Sequence, residues 1–418
     1  MIKRKLLPEL INHLPQKEMS LIIGPRQAGK TTLMEMLKAH LDRKGKRTLF
    51  LNLDIERDRP HFQSQVALLK RIELELGQER GYVFIDEIQR KEDAGLFLKG
   101  LFDLKLPYKF IVSGSGGLEL RQKIHESLVG RKRLLELSTT TFEEFVNHRT
   151  DYRYEENLPD FLSMETDRTQ QFLSEYMHFG GYPRVVTTAE EREKLRLIDE
   201  IYRSVLEKDI AYLLKLDKPD AFSDLMRLLA SQVGQLINYS ELASTLNVSF
   251  PTVKKYLWYA QKICLVELMR PYARNARKEI SKSPVPYFWD LGFRNYSLGL
   301  FGHIDSPNEA GLVFENLIFL MLKEKLKFKA AKLNFWRTHD KAEVDFVIEV
   351  GKTVIPLEVK YKRLRQEKVP ASLRSFIEKY HPGRAYVINL NLSRTIDMNG
   401  TILAFMPFHE LLRSGVIL

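Results

Sequence analysis

The sequence predicts an α/β fold with two separate sheets, and three observations predict it. They are a glycine-bounded loop between an apolar strand and a helix, an apolar strand tipped with two acids about fifty residues on, and an acidic hairpin near the C-terminus. At 418 residues the chain is long enough for two to four domains, because single cores stop growing well below that length.

The first strand, Leu21-Ile22-Ile23, runs into Gly24-Pro25-Arg26-Gln27-Ala28-Gly29-Lys30-Thr31-Thr32. This matches G-x-x-x-x-G-K-[ST], a loop whose backbone N–H groups cradle the β- and γ-phosphates of ATP at a helix N-terminus. In that reading residues 24–32 hold the nucleotide, Lys30 brings a cation to the phosphates, and the Thr31 hydroxyl reaches Mg²⁺. Next, Tyr82-Val83-Phe84-Ile85-Asp86-Glu87 has the form of a buried parallel strand delivering acids to the sheet's C-terminal edge. Asp86 would reach the Mg²⁺ and Glu87 would orient the attacking water. A third strand, Lys109-Phe110-Ile111-Val112, ends in Ser113-Gly114-Ser115-Gly116-Gly117, where Ser113, ahead of Ser115, is the candidate γ-phosphate sensor. A serine-glycine turn ends a strand equally well. Residues 134–137 read as an edge strand behind a basic run containing Arg131, which acts either as a finger on a neighbour's nucleotide or as surface charge.

From residue 152 to about 225 the pattern turns helical, interrupted at Gly180-Gly181-Tyr182-Pro183, a tight backbone turn. Residues 237–267 read as a helix-turn-helix. A short helix over 239–246 is followed by the turn Asn247-Val248, with Ser249 as N-cap and Pro251 soon after. On the second helix Val253, Tyr256 and Leu257 take core-facing positions, leaving Thr252, Lys254 and Lys255 for DNA contact. Residues 265–269 and 286–289 would form the strands of a wing joined by the basic loop 270–282. Winged helices also serve as protein-protein modules.

In the C-terminal hairpin, residues 343–350 and 353–360 flank the turn Gly351-Lys352. Pairing Val350 with Thr353 sets Asp345 opposite Glu358 and Glu343 opposite Lys360, with Val344, Phe346, Ile348, Ile355, Leu357 and Val359 sharing the apolar other face. Opposed carboxylates repel unless a cation bridges them, so a divalent metal, Mg²⁺ or Mn²⁺, is expected, with Lys360 beside it and Glu315 from a preceding helix completing the site. A solvated charged face with a Glu343–Lys360 pair is the other reading.

Composition bounds the rest. No apolar stretch follows the basic start Met1-Ile2-Lys3-Arg4-Lys5, so neither a secretory signal nor a membrane span is expected, and the expected location is cytoplasmic. The single cysteine, Cys264, excludes an intramolecular disulfide framework and a cysteine-rich zinc site, and reads as a small core residue. The net charge of +11 falls wholly in the C-terminal half: residues 226–300 hold 10 Lys and Arg against 4 Asp and Glu, and residues 301–418 hold 18 against 13. An acidic polymer such as DNA would therefore meet that half.

Over nearly its whole length the chain resembles a known family. GPRQAGKTTL, YVFIDEIQ, VSGS and GR…LSTTTFEEF are similar to the AAA-superfamily ATPases of archaeal type (AAA_14-like). YMHFGGYPRVV, LEKDI and GLVFENLIF…FWRTHDKAEVDFVI…IPLEVKYK resemble the DUF4143 region that follows them, itself similar to the PD-(D/E)xK nuclease core. Ser115-Gly116-Gly117 departs from a run that is serine-rich in relatives. The resemblance implies an AAA-type ATPase domain at 1–150 and a restriction-endonuclease-like domain at 301–418; the residue pattern places a helical linker or lid at 151–225 and a winged helix-turn-helix at 226–300 between them. It matches Glu315, Asp345, Glu358 and Lys360 to the nuclease core's helix acid, strand acid and E-x-K element. The expectation is an ATP-hydrolysing, DNA-binding homo-oligomer, a ring among its forms, with metal-dependent cleavage of DNA, branched forms included. The rival is a nucleotide-dependent regulatory or defence switch whose nuclease-like part binds without cutting.

Overall fold

The computed structural model describes residues 1–115, 128–206, 219–273, 283–338, 340 and 342–417. Its first sheet is made of β1 (Met19–Gly24), β2 (Thr48–Asn52), β3 (Gly81–Asp86), β4 (Tyr108–Ser115) and β5 (Lys132–Glu136), in the order β2-β3-β4-β1-β5. All neighbours are parallel, which aligns every strand's carboxyl end on one edge. β1 and β3 are buried along their whole length, as strands covered on both faces must be. One face packs under α3 (Gln65–Leu76) and α4 (Ala94–Asp103), and the other under α1 (Leu6–His13) and α2 (Lys30–Arg43).

After β5 the chain becomes helical. α5 (Phe142–Arg149) starts at a complete capping box in which Thr141 and Glu144 exchange bonds. It is followed by α6 (Leu158–Met164), α7 (Thr166–Phe179), α8 (Pro183–Thr187), α9 (Glu191–Ser204) and α10 (Pro219–Ser231). The expected turn at Gly180-Gly181 is present, and its reason is close packing as well as conformation. Gly180 has φ 72°, and a Cβ on it would lie 2.3 Å from Gly292 N; one on Gly181 would lie 2.2 Å from Thr140 O.

The helix-turn-helix segment forms α11 (Tyr239–Thr245) and α12 (Phe250–Lys262), capped by Ser249, whose side chain accepts from Thr252 N. An antiparallel pair follows, β6 (Val266–Met269) with β7 (Val285–Phe288); residues 274–282 of the joining loop lie outside the described residues. After α13 (Leu291–Ser297), α14 (Pro307–Leu326) crosses one face of a six-stranded mixed sheet. That sheet is ordered β12-β13-β11-β10-β9-β8, from β8 (Lys332–Arg337), β9 (Glu343–Val350), β10 (Thr353–Val359), β11 (Arg384–Asn389), β12 (Arg394–Met398) and β13 (Thr401–Pro407). α15 (Ala371–Tyr380) packs on its other face. Buried apolar side chains of the helical region, α11 to α14 and the α14 face of this sheet form one continuous cluster.

The β9–β10 hairpin has the expected register, from Thr353 opposite Val350 to Leu357 opposite Phe346. Its faces differ from expectation. Against β8 the register slips, with Asn334 opposite Val347 but Trp336 opposite Val344. This bulge at Asp345 and Phe346 breaks the two-residue alternation. Val344 therefore packs with Trp336, Leu373 and Phe376 on the α15 side, whereas Phe346 and Ile348 pack on the α14 side. Val344 does not share the face of Phe346 and Ile348.

Candidate functional site

The glycine-bounded loop closes on itself. Gly24 ends β1 against Leu137, whose carbonyl oxygen would lie 2.1 Å from any added Cβ. Gln27 (φ 57°) and Gly29 (φ 91°) take left-handed conformations that curl the loop into the first turn of α2. Lys30 is buried there, its Nζ donating to Pro25 O at 2.7 Å and Gly24 O at 3.1 Å. Thr31 Oγ1 donates to Asp86 Oδ2 at 2.6 Å. The other oxygen of the fully buried Asp86 accepts from Ser113 Oγ and from Glu87 N. Ser113 thus reaches the acid, and Ser113 and Asp86 sit on neighbouring strands at the same sheet edge as the loop.

Glu87 takes a left-handed conformation, φ 56°. Burial raises its carboxyl above the usual range, Lys30 pulls it down and Asp86 pushes it up again, for a net rise. Gln89 donates to it. Arg131 is not brought to this edge: it precedes β5, whose first residue pairs with the first residue of β1, and it forms an ion pair with Asp103 at 2.8 Å. In its own chain Arg131 lies at the opposite end of the sheet from the loop.

One residue at this site was missed. Arg4 is buried, and its guanidinium donates to Ala28 O in the loop (2.7 Å) and to Ser138 O (2.6 Å) and Thr139 O (3.2 Å), while pairing with Glu144 at 3.2 Å. Nothing in the basic start distinguishes it from Lys3 or Lys5. The capping box that fixes Glu144 is the one readable signal. Arg26 also leaves the loop, donating to Ser204 O at 3.5 Å.

At the hairpin, Glu358 raises the proton affinity of both Asp345 and Glu315, and Glu315 that of Asp345. Burial, then Glu358 and Glu315, push Asp345 well above the usual carboxylate range. Burial chiefly moves Glu315 up to about 7, opposed by a bond from Tyr287 and reinforced by Glu343 and Glu358. Burial raises Glu358 against the pull of Lys360. Each acid is nevertheless engaged by a different donor. Val359 N donates to Asp345 at 2.7 Å, Tyr287 OH to Glu315 at 2.6 Å, and Lys360 Nζ to Glu358 Oε1 at 2.6 Å. Glu358 Oε2 is buried without a hydrogen-bond partner among the described residues. The alternative Glu343–Lys360 pair does not form; Glu343 pairs with Arg337 at 3.0 Å. Among the described residues no group of three His, Cys, Asp or Glu side chains is drawn together as metal ligands. Sequence reasoning missed Tyr287 and Gly234, whose backbone lies against the Glu315 carboxyl.

On α12, Lys254 and Lys255 are exposed, but the Thr252 hydroxyl is taken up by Ser249 Oγ at 2.7 Å. No helix among the described residues is long and apolar enough to cross a membrane.

Three family models match the chain: AAA_14, an AAA domain, at residues 16–146; DUF8612, a domain of unknown function, at 170–303; and DUF4143, a domain of unknown function, at 310–410. An uncharacterized protein of Mycobacterium tuberculosis is 27% identical over 400 residues, covering 95% of this chain and 81% of its own. One of Haemophilus influenzae is 25% identical over 370 residues, covering 85% and 86%. Among solved structures, the replication initiator DnaA bound to AMPPCP and single-stranded DNA matches with TM-score 0.28 and 15% identity, over 63% of this chain and 90% of that one. At that score the likeness carries no weight for function. Segment by segment, the chain carries an AAA domain of the AAA_14 type at its N-terminal end and a DUF4143 region at its C-terminal end.

Proposed function

We propose that the chain is a Mg²⁺-dependent ATPase that uses nucleotide turnover to control its hold on DNA. The observation that carries the ATPase reading is the 2.6 Å bond between Thr31 Oγ1 and Asp86 Oδ2 beside the buried Lys30. It sets two hard oxygens side by side at the mouth of a phosphate loop, a donor set that suits Mg²⁺, which Thr31 and Asp86 would hold. When bound, the ion neutralises charge on the phosphates. Lys30 adds a second positive charge at the same place, and Ser113 fixes the orientation of Asp86. Glu87, on the next residue and with its proton affinity raised, orients the attacking water and accepts its proton. DNA is the proposed polymer because the whole net positive charge lies beyond residue 225. α11, α12 and the β6–β7 pair supply a winged helix-turn-helix in that region.

The test is ATP turnover with DNA binding measured beside it. Lys30→Ala should lose nucleotide binding, whereas Glu87→Gln should bind ATP and hydrolyse it at least a hundredfold more slowly. Parent-like turnover in both variants would overturn the assignment.

A second reading, metal-dependent cleavage of DNA, is favoured by the orphaned Glu358 Oε2 among mutually repelling acids. Glu315, Asp345 and Glu358 are not gathered as ligands in this arrangement; drawn together they would hold Mn²⁺ or Mg²⁺, and Lys360, released from Glu358, would stabilise charge on the phosphate.

A further inference from the structure

The exposed face of α12 is built differently from a helix that reads base edges in a groove. Phe250, Lys254, Trp258 and Lys262 follow one another at intervals of four and form a continuous stripe. Lys254 Nζ lies 4.6 Å from the centre of the Phe250 ring, and Lys262 Nζ lies 5.6 Å from that of Trp258. Tyr239 of α11 extends the stripe, its ring 5.7 Å from Phe250. Phe250 is 42% exposed although it is a large apolar side chain, and Trp258 is half-buried. The helix carries three lysines and no acid, so nothing on it repels a polyanion.

Flat rings separated by lysines match a strand of unpaired bases. In a duplex the base faces are stacked on one another, and a helix in the groove meets only their edges, for which a phenyl ring has no donor or acceptor and an indole ring a single N–H donor. An unpaired base offers its face to an aromatic ring, and its phosphate lies beside a cation. The two platforms are eight residues apart, about 12 Å of helix axis. We propose that the Phe250–Lys254–Trp258–Lys262 stripe binds single-stranded nucleic acid by stacking bases on Phe250 and Trp258 while the lysines neutralise the backbone. This rests on the DNA-binding reading above and specifies its substrate.

The chain reports on the stripe directly. Of its three tryptophans, Trp289 and Trp336 are buried and Trp258 is not. Titration of the full-length protein with a dT20 oligonucleotide should quench tryptophan fluorescence, and the Trp258→Phe variant should bind without that quenching. Phe250→Ala and Trp258→Ala should each weaken binding of labelled dT20, followed by anisotropy, by roughly 5- to 150-fold, with less than a twofold change for a 20-base-pair duplex. Melting curves for each variant check that the fold is retained. An rU20 arm separates DNA from RNA, since stacking predicts quenching by both and their relative affinities identify the natural strand. Should duplex bind, weaken with Lys254→Glu and ignore both alanine variants, with no quenching by dT20, the stacking proposal is overturned and the DNA-binding reading stands. Should neither oligonucleotide nor duplex bind, both fall together.

Discussion

Replacing Arg4 with methionine should separate the phosphate loop from the helical region while leaving every nucleotide ligand in place. The substitution keeps the aliphatic packing and removes a guanidinium that bonds Ala28 O, Ser138 O and Thr139 O and pairs with Glu144. Both ends of the pair are about 95% buried, and breaking a pair of that kind costs about 3–5 kcal/mol, because the remaining charge is left in a poor solvent. Glu144 keeps bonds from Lys5 N at 2.7 Å and Thr141 N at 2.9 Å, so the lower end, about 3 kcal/mol, is expected. Arg4→Lys should recover little, since one ammonium cannot span four acceptors that a planar fork reaches together. Urea unfolding of Arg4→Met, Glu144→Gln and the double variant forms a cycle whose coupling term should be about 2–3 kcal/mol. ATP affinity should fall roughly tenfold, since freeing Ala28 O removes about one hydrogen bond's worth of order from the loop. Coupling below 0.5 kcal/mol, with parent-like ATP affinity, would refute the clamp.

Four further outcomes follow from the geometry. Gly181→Ala should cost more than about 3 kcal/mol or prevent soluble expression, because its Cβ would sit 2.2 Å from a backbone oxygen; circular dichroism and yield measure this. Glu315, protonated up to about 7 in the folded chain against an ordinary 4.5, contributes stability that is present at low pH and lost as pH rises through 7. Glu315→Gln should therefore stabilise the protein by roughly 1–3 kcal/mol at pH 8 and hardly at all at pH 4, read from melting curves at both. His13 is the opposite case: burial first, then Lys109 and Arg133, lower it to about 4. Its contribution is full above 6.5 and lost as pH falls toward 4, so His13→Gln should flatten the acid limb of the stability profile by roughly 1–3 kcal/mol. Calorimetric titration with Mn²⁺ tests the second reading of the hairpin: one site in the parent, none in Asp345→Ala, and a retained site without cleavage in Lys360→Ala.

The phosphate loop and the acid-tipped strand were legible because their constraints are local. Gly24, Gly29 and Lys30 belong to one short loop and the helix start that follows it, and Asp86 ends a strand whose parallel neighbours force its carboxylate to the same edge. The hairpin register was legible for a similar reason, a two-residue turn fixing every pair up to Leu357 and Phe346. Its side-chain directions were not, because the bulge that turns Asp345 toward α14 depends on β8, a strand that nothing in the hairpin itself specifies. Arg4 and Tyr287 escaped for want of local pattern: each acts on a group more than twenty residues away, Glu144 and Glu315. The bond between the Thr252 hydroxyl and Ser249, the N-cap of its own helix, was not read either. Phe250 and Trp258 drew no assignment from the sequence pattern, and Phe250 proves exposed.

What joins the two ends of the chain is also non-local, and it bears on how ATP turnover would be felt at DNA. The segment that follows β5 touches both: Ser138 O and Thr139 O accept from Arg4, which holds the loop, while Thr139 Oγ1 donates to Trp289 O just beyond β7. Gly181 donates to the buried Asp290 at 2.8 Å while its carbonyl accepts from Thr140. Asp290 in turn caps α13 through Phe293 N. Between the loop and the strand pair beside α12 there is thus a run of contacts through Arg4, Thr139 and Asp290, closely packed where Gly180 and Gly181 leave no room for a side chain. A shift of the loop by a fraction of an ångström must be passed on or resisted, because packed backbone of this kind has few intermediate arrangements. If ATP changes the grip on nucleic acid, Asp290→Asn should weaken that dependence while leaving Lys30, Thr31, Asp86 and the α12 stripe untouched. Equal ATP dependence of dT20 affinity in Asp290→Asn and the parent would show that the coupling runs elsewhere.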